Sequence, residues 1–206
     1  TDAYERYDLN RATRPIAAFV NELSTWYLRR SRDRIKCAHE LNDYEAITTL
    51  RFVLERLTFV MAPVMPFTAE YIWQELGNEG SVHLQEWPKA GEADSNILEG
   101  MAEVRRIVEL GLAARAQAGI KVRQPLASAT IFGSNLKSMP SKDNEFDPAY
   151  DYLIMDELNV LEVKYSAGDE LRVVLDTKLT NELRVKGNLR ELIRTINGMR
   201  KTAGLT

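Results

Sequence analysis

The 206 residues carry 27 lysines and arginines against 30 aspartates and glutamates, a net charge of −3, with one cysteine and two histidines. A lone cysteine excludes an internal disulfide and any Cys-x-x-Cys zinc site, and His39 and His83 are too few for a histidine metal cluster. No run approaches the roughly eighteen apolar residues of a membrane span and Thr1–Arg6 has no signal-peptide pattern, so a cytoplasmic protein with no membrane partner is expected.

From the first residues to about Ala118 the apolar spacing is helical. The first helix carries Ile16, Phe19, Val20, Leu23 and Tyr27 as one stripe for a core, with Pro15 either opening or kinking it. A second helix, capped by Asn42 or Asp43, repeats the spacing through Ile47, Leu50, Leu54, Leu57 and Met61. Pro63 and Pro66 end it, and Pro66 suits the first turn of a short helix over Phe67–Leu76 that stops at Gly77. A long helix follows from Ile97 to Ala118, with Met101, Val104, Val108 and Leu112 on one side and Gly119 as its stop. Amphipathic helices joined by short connections predict an antiparallel bundle over residues 1–118.

The remaining residues, 119–206, read as a smaller α+β subdomain. A strand over Ala129–Phe132 is followed by a polar stretch, Gly133–Asp147, that reads as a loop. A short helix over Tyr152–Leu158 precedes strands at Val160–Tyr165 and Leu171–Leu175, with Ser166–Asp169 as a hairpin turn between them. A final helix runs from Leu189 to Lys201, ahead of Gly204. The fold class is therefore mainly α, a helix bundle followed by a smaller α+β part.

Charge is distributed less evenly than the average suggests. On a wheel of about 100° per residue, Arg11, Arg14, Arg29, Arg32 and Lys36 share the face opposite the apolar stripe, with Thr25, Ala18 and Glu22 between. Such a row can follow a phosphate backbone, each neutralised phosphate releasing counterions; the plainer reading is a solvated basic face. Arg30 and Arg34 fall on the side of Phe19, Leu23 and Tyr27, so either the bundle opens there or carboxylates meet them. Trp26 borders this region, where it can stack on a base or fill core. In the final helix Arg190, Arg194, Asn197 and Lys201 stand at i, i+4, i+7 and i+11, with Leu192, Ile193, Ile196 and Met199 on another side. No catalytic set assembles: Glu70 and Glu75 are apart on their helix, Asp156-Glu157 has no partner base, and no glycine-rich phosphate loop occurs. The residues describe a binder without a metal or cofactor site.

Two stretches resemble signatures of the class I aminoacyl-tRNA synthetase anticodon-binding bundle. They are Leu23-Ser24-Thr25-Trp26-Tyr27-Leu28-Arg29-Arg30-Ser31-Arg32, and Leu57 through Glu70 with Met61-Ala62-Pro63-Val64-Met65-Pro66 at its centre. Ser81-Val82-His83-Leu84 and Trp87-Pro88 follow in order. The isoleucyl branch is singled out by Lys121-Val122-Arg123-Gln124-Pro125-Leu126, by Glu157-Leu158-Asn159-Val160, and by the run from Gly187 to Gly204. The chain departs from the family at Ile35-Lys36, where an aromatic is usual, at Asn197 in place of glutamine, and at Pro15 within a usually unbroken helix. The zinc-binding cysteines of many bacterial members do not occur within these residues; they either follow Thr206 or do not exist.

The resemblance implies that a parent enzyme activates isoleucine with ATP and magnesium in a catalytic domain, proofreads in an editing domain, and charges its tRNA. It implies that this region holds the anticodon stem and loop. The residues it points to are Arg11, Arg14, Trp26, Arg29, Arg30, Arg32, Lys36, Arg190, Arg194 and Lys201. A valyl or leucyl counterpart would keep the RNA role but leaves the second half unexplained. A helical protein-interaction module without RNA is the reading the acidic average favours.

Overall fold

A computed structural model gives the fold and describes residues 1–41, 43–133 and 148–205. The candidate cap Asn42 and most of the loop expected over Gly133–Asp147 lie outside the described residues. The chain divides into two compact units, Thr1–Gly91 and Glu92–Thr206. The division falls ahead of the long helix that its periodicity groups with the bundle over residues 1–118.

The first unit is built from α1 (Asp2–Glu5), α2 (Leu9–Glu22), a π turn (Leu23–Leu28), α3 (Arg29–Lys36), α4 (Ala38–Leu41), α5 (Glu45–Met61) and α6 (Pro66–Glu75), with a 3-10 turn over Val82–Leu84. Asp8 caps α2 by accepting from the Arg11 amide, and Pro15 lies inside the helix. Asp43 accepts from the Glu45 amide at the start of α5. Pro66 opens α6 as expected, and Gly77 takes the left-handed conformation that ends it, φ +75°. Met61, Ala69, Trp73 and Val82 form a core, joined by Ile16, Leu57, Phe59 and Ala62. Phe59 meets Trp73 edge to face, ring centroids 5.3 Å apart. The core is closed by Glu70, whose carboxylate accepts from Ser81 Oγ at 2.8 Å and the Val82 amide at 3.0 Å.

Two phenols tie the first helices to α5. Tyr4 donates to the Val60 carbonyl at 2.8 Å, and Tyr27 donates to the Ala46 carbonyl at 3.0 Å. Between these clasps the helices do not close, leaving an apolar groove of ≈ 370 Å³ lined by Pro15, Ile16, Phe19, Phe52, Leu57 and Val60. Phe19 and Val20, expected as core, are 45% and 40% exposed. Ile47 on α5 is exposed as well.

The second unit contains α7 (Ser95–Gln117), β1 (Leu126–Phe132), α8 (Pro148–Leu158), β2 (Val160–Ser166), β3 (Arg172–Leu175) and α9 (Asn181–Thr202). Asp94 caps α7, and Gly119 ends it with φ +66°. The sheet order is β2-β1-β3, with β1 parallel to β2 and antiparallel to β3. The hairpin expected at Ser166–Asp169 does not form. β1 carries the most buried side chains and takes the centre, α8 serves as the crossover a parallel pair requires, and the β2–β3 connection passes the end of β1. There a Cβ on Gly168 would lie 3.0 Å from Phe132 Cβ. Val104, Ile107 and Val108 of α7 belong to the core with Leu126, Ile131, Ile154 and Leu158. α9 begins at Asn181, capped by Thr180, well before the Leu189 start expected from its apolar spacing.

Candidate nucleic-acid interface

Between Leu23 and Leu28 the helix runs as a π turn. Bonding from i to i+5 takes one extra residue into the turn, so everything after it is set back by one position, about 100° around the axis. This removes the conflict posed by arginines on the core side. Ser31, 6% exposed, and the half-buried Ile35 face inward where an unbroken helix would place Arg30 and Arg34. Arg34 is exposed, its Nε 3.2 Å from Asp43 Oδ2 and its Nη2 3.7 Å from Glu45. The Arg34 hydrogen bond holds the Asp43 carboxyl below its usual range. Arg30 is half-buried.

The same step corrects the straight basic row. Arg11 and Arg14 precede the π turn and Arg29, Arg32 and Lys36 follow it, so the two sets are offset around the axis by that rotation. All five are exposed. Among the described residues, the side chains of Arg11, Arg14, Arg32 and Lys36 make no ion pair. Trp26 lies inside the π turn, half-buried and outside the core cluster. The Arg29 guanidinium sits 5.9 Å from the Trp26 ring centroid, and Arg29 Nε donates to the Thr25 carbonyl at 2.8 Å. An exposed cation–π contact of this kind contributes about 0.5–1 kcal/mol, enough to bias the orientation of both groups.

In the second unit, the three stretches that single out the isoleucyl branch converge. Their centre is Arg115, 1% exposed. Its Nε donates to the Leu158 carbonyl at 2.8 Å and its Nη2 to Asn159 at 3.0 Å. Its Nη1 reaches the carbonyls of Lys121 and Gln124 at 3.1 and 3.0 Å. Burial lowers the Arg115 pKa from its usual value, and these four carbonyl dipoles stand in for the water that a buried cation loses. Asn159, at φ +49°, donates from Nδ2 to the Val122 carbonyl at 2.7 Å and accepts from Arg190 Nη1 at 2.6 Å. Gln124 donates to the Leu183 carbonyl at 2.7 Å, packed where a Cβ on Gly187 would stand.

α9 therefore turns Leu183 and Gly187 toward its own unit, and Arg190 is engaged with Asn159 rather than held free. Arg194 lies 3.6 Å from Glu191, while Lys201 is exposed near the helix end. Val185, Leu189, Leu192, Ile196 and Met199 are 47–67% exposed, so the apolar side of α9 faces outward.

Sequence reasoning missed Arg115, Lys121 and Arg123 as individual residues. For Arg115 a signal existed: it follows Val104, Val108 and Gly111 at helical spacing, on the apolar stripe itself. The groove between α2 and α5 is apolar, and a second concavity is lined by Thr1, Tyr4, Tyr7, Leu9, Pro63 and Trp87.

Residues 1–131 match the family described as the anticodon-binding domain of tRNA ligase. Isoleucine–tRNA ligase of Thermobifida fusca is 42% identical over 168 residues, 79% of this chain and 15% of that protein. The Cutibacterium acnes enzyme of the same name is 43% identical over 170 residues, 78% of the chain and 14% of its own length. That of Protochlamydia amoebophila is 35% identical over 206 residues, 97% of the chain and 19% of its own. The chain thus spans less than a fifth of the length of these relatives.

Proposed function

The chain belongs to the anticodon-binding domain family of tRNA ligases, and from that premise we propose that it holds the anticodon stem and loop of an isoleucine tRNA. The observation that carries this reading is the contact in the π turn that sets Trp26 beside Arg29, with the exposed Arg32 following on α3. Phosphate contacts from Arg11, Arg14, Arg29, Arg32 and Lys36 would position the RNA, and stacking on Trp26 would engage an unpaired base. Arg30 would add to this surface, and Arg190, Arg194 and Lys201 would contact RNA from the second unit by themselves. Isoleucine as the amino acid rests on the names of relatives that match over 79% and 97% of the chain. Ligation with ATP and magnesium then falls to a catalytic domain, and proofreading to an editing domain, elsewhere in a longer cytoplasmic parent.

The test is a titration of the chain with unmodified isoleucine and valine tRNA transcripts over a salt series. Arg29→Gln with Arg32→Gln should weaken both tRNAs alike and flatten the slope of log affinity against log salt by roughly 1.5. Failure of the unaltered chain to bind any tRNA at low salt would end the reading.

A further inference from the structure

Resting on the reading of this chain as an RNA binder, we propose that Lys121, Arg123 and Arg194 form a separate phosphodiester site on the second unit, with Glu191 as the carboxylate that an RNA phosphate displaces. Three cations converge on that one carboxylate. Lys121 Nζ and Arg194 Nη1 lie 3.5 and 3.6 Å from Glu191 Oε1, and Arg123 Nη1 lies 3.6 Å from Oε2. These separations exceed the roughly 2.7–2.9 Å of a committed charge-assisted hydrogen bond. One negative charge among three positive ones leaves the cluster with an uncompensated excess.

The cluster is not needed to fasten α9. That work falls to Gln124 against Leu183 and Gly187, and to Arg190 on Asn159. Exposed ion pairs add little to stability, and the side chains of Lys121, Arg123 and Arg194 are 72%, 45% and 58% exposed. The loop that carries two of them is nonetheless held firmly. The Lys121 and Gln124 carbonyls are bound by buried Arg115, and the Val122 carbonyl by Asn159 Nδ2. A rigid backbone whose carbonyls are already engaged sends out cationic side chains at a small cost in ordering.

A phosphodiester suits this arrangement. Its two non-bridging oxygens match two guanidinium forks and an ammonium, and it carries a single charge, as the carboxylate it replaces does. Nothing in the cluster reads a base, so the site should be blind to sequence.

The test uses the full chain carrying Lys121→Gln and Arg123→Gln, titrated over a KCl series with an isoleucine tRNA transcript and with polyuridylate. Both RNAs should bind roughly tenfold more weakly, with a log–log salt slope flatter by about 1.4–1.8. Glu191→Gln should tighten both severalfold with its melting temperature held. Unchanged affinity and slope in the double variant overturn the proposal. So does a Glu191→Gln chain that loses binding and melting temperature together, since the carboxylate would then serve the fold alone. Inorganic phosphate that binds the loop at constant ionic strength without displacing RNA would assign the site to a free anion and overturn it for RNA. Absence of any RNA binding by the unaltered chain overturns this site and the parent reading together. Binding that responds to Arg29→Gln and Arg32→Gln but not to the loop variant overturns this site only.

Discussion

Arg115 Nε donates to the carbonyl of Leu158 at 2.8 Å, so the last turns of α7 and α8 share one fully buried guanidinium. Three further carbonyls depend on the same side chain. Arg115→Leu should therefore cost about 1–3 kcal/mol for the buried Leu158 carbonyl left without a donor, with smaller losses from the three part-buried carbonyls. Urea unfolding measures it, and a loss under about 1 kcal/mol would show that the carbonyls find other partners. Arg115→Lys should rescue little, because one ammonium on a flexible stem cannot span four acceptors.

α7 lies close to α8 because residue 111 has no side chain. A Cβ there would come within 2.5 and 2.6 Å of the two methyls of Leu158, which is fully buried. Gly111→Ala should overpack this crossing by about 1–3 kcal/mol, offset by about 1 kcal/mol of helix propensity. A thermal midpoint above that of the unaltered chain would refute the close-packing account.

Ser81 is the largest influence on Glu70, its hydroxyl lowering the carboxyl pKa below the usual value, with the Val82 amide adding to it. A depressed folded value means the contribution to stability is present above the ordinary glutamate pKa of about 4.3. It is lost as pH falls through the folded value. The stability difference between the unaltered chain and Glu70→Gln should be constant near neutrality and shrink at acid pH. Denaturation midpoints taken from pH 7 down to acid test this, and a gap that ignores pH would count against it.

Trp26→Ala should weaken tRNA binding by about 1–3 kcal/mol if the ring stacks on a base. Its half-exposed setting predicts a thermal loss well short of the roughly 3–5 kcal/mol of a core tryptophan. Isothermal titration and melting on the same sample separate the two. A large drop in midpoint with unchanged binding by the folded fraction would assign Trp26 to the fold.

Much of the helical order was legible. Leu54, Leu57 and Met61 marked α5, Pro66 and Gly77 bounded α6, and Gly119 ended α7. The π turn was not legible, because bonding from i to i+5 leaves no residue signature; only the burial of Ser31 reveals it. The Ser166–Asp169 stretch has the composition of a hairpin, yet strand order follows burial, and the apolar Leu126–Phe132 took the centre of the sheet. The division after Gly91 was hidden because helical periodicity is the same on both sides of it. Of the candidate site, the cations before and after the π turn were visible as a set, but their offset was not. The engagement of Arg190 with Asn159 was out of reach, since it depends on an asparagine in a left-handed backbone thirty-one positions away.

The π turn also means that this helix carries slack. An ordinary helix has no spare residue, and losing one swings everything downstream by about 100°. Here the spare residue is already absorbed within Leu23–Leu28. A chain shorter by one in that stretch could close into a plain α-helix with Ser31 and Ile35 still inward and Arg34 still within reach of Asp43. Length at this point can vary by one residue without moving the surfaces on either side, whereas a deletion a turn earlier or later has no such refuge.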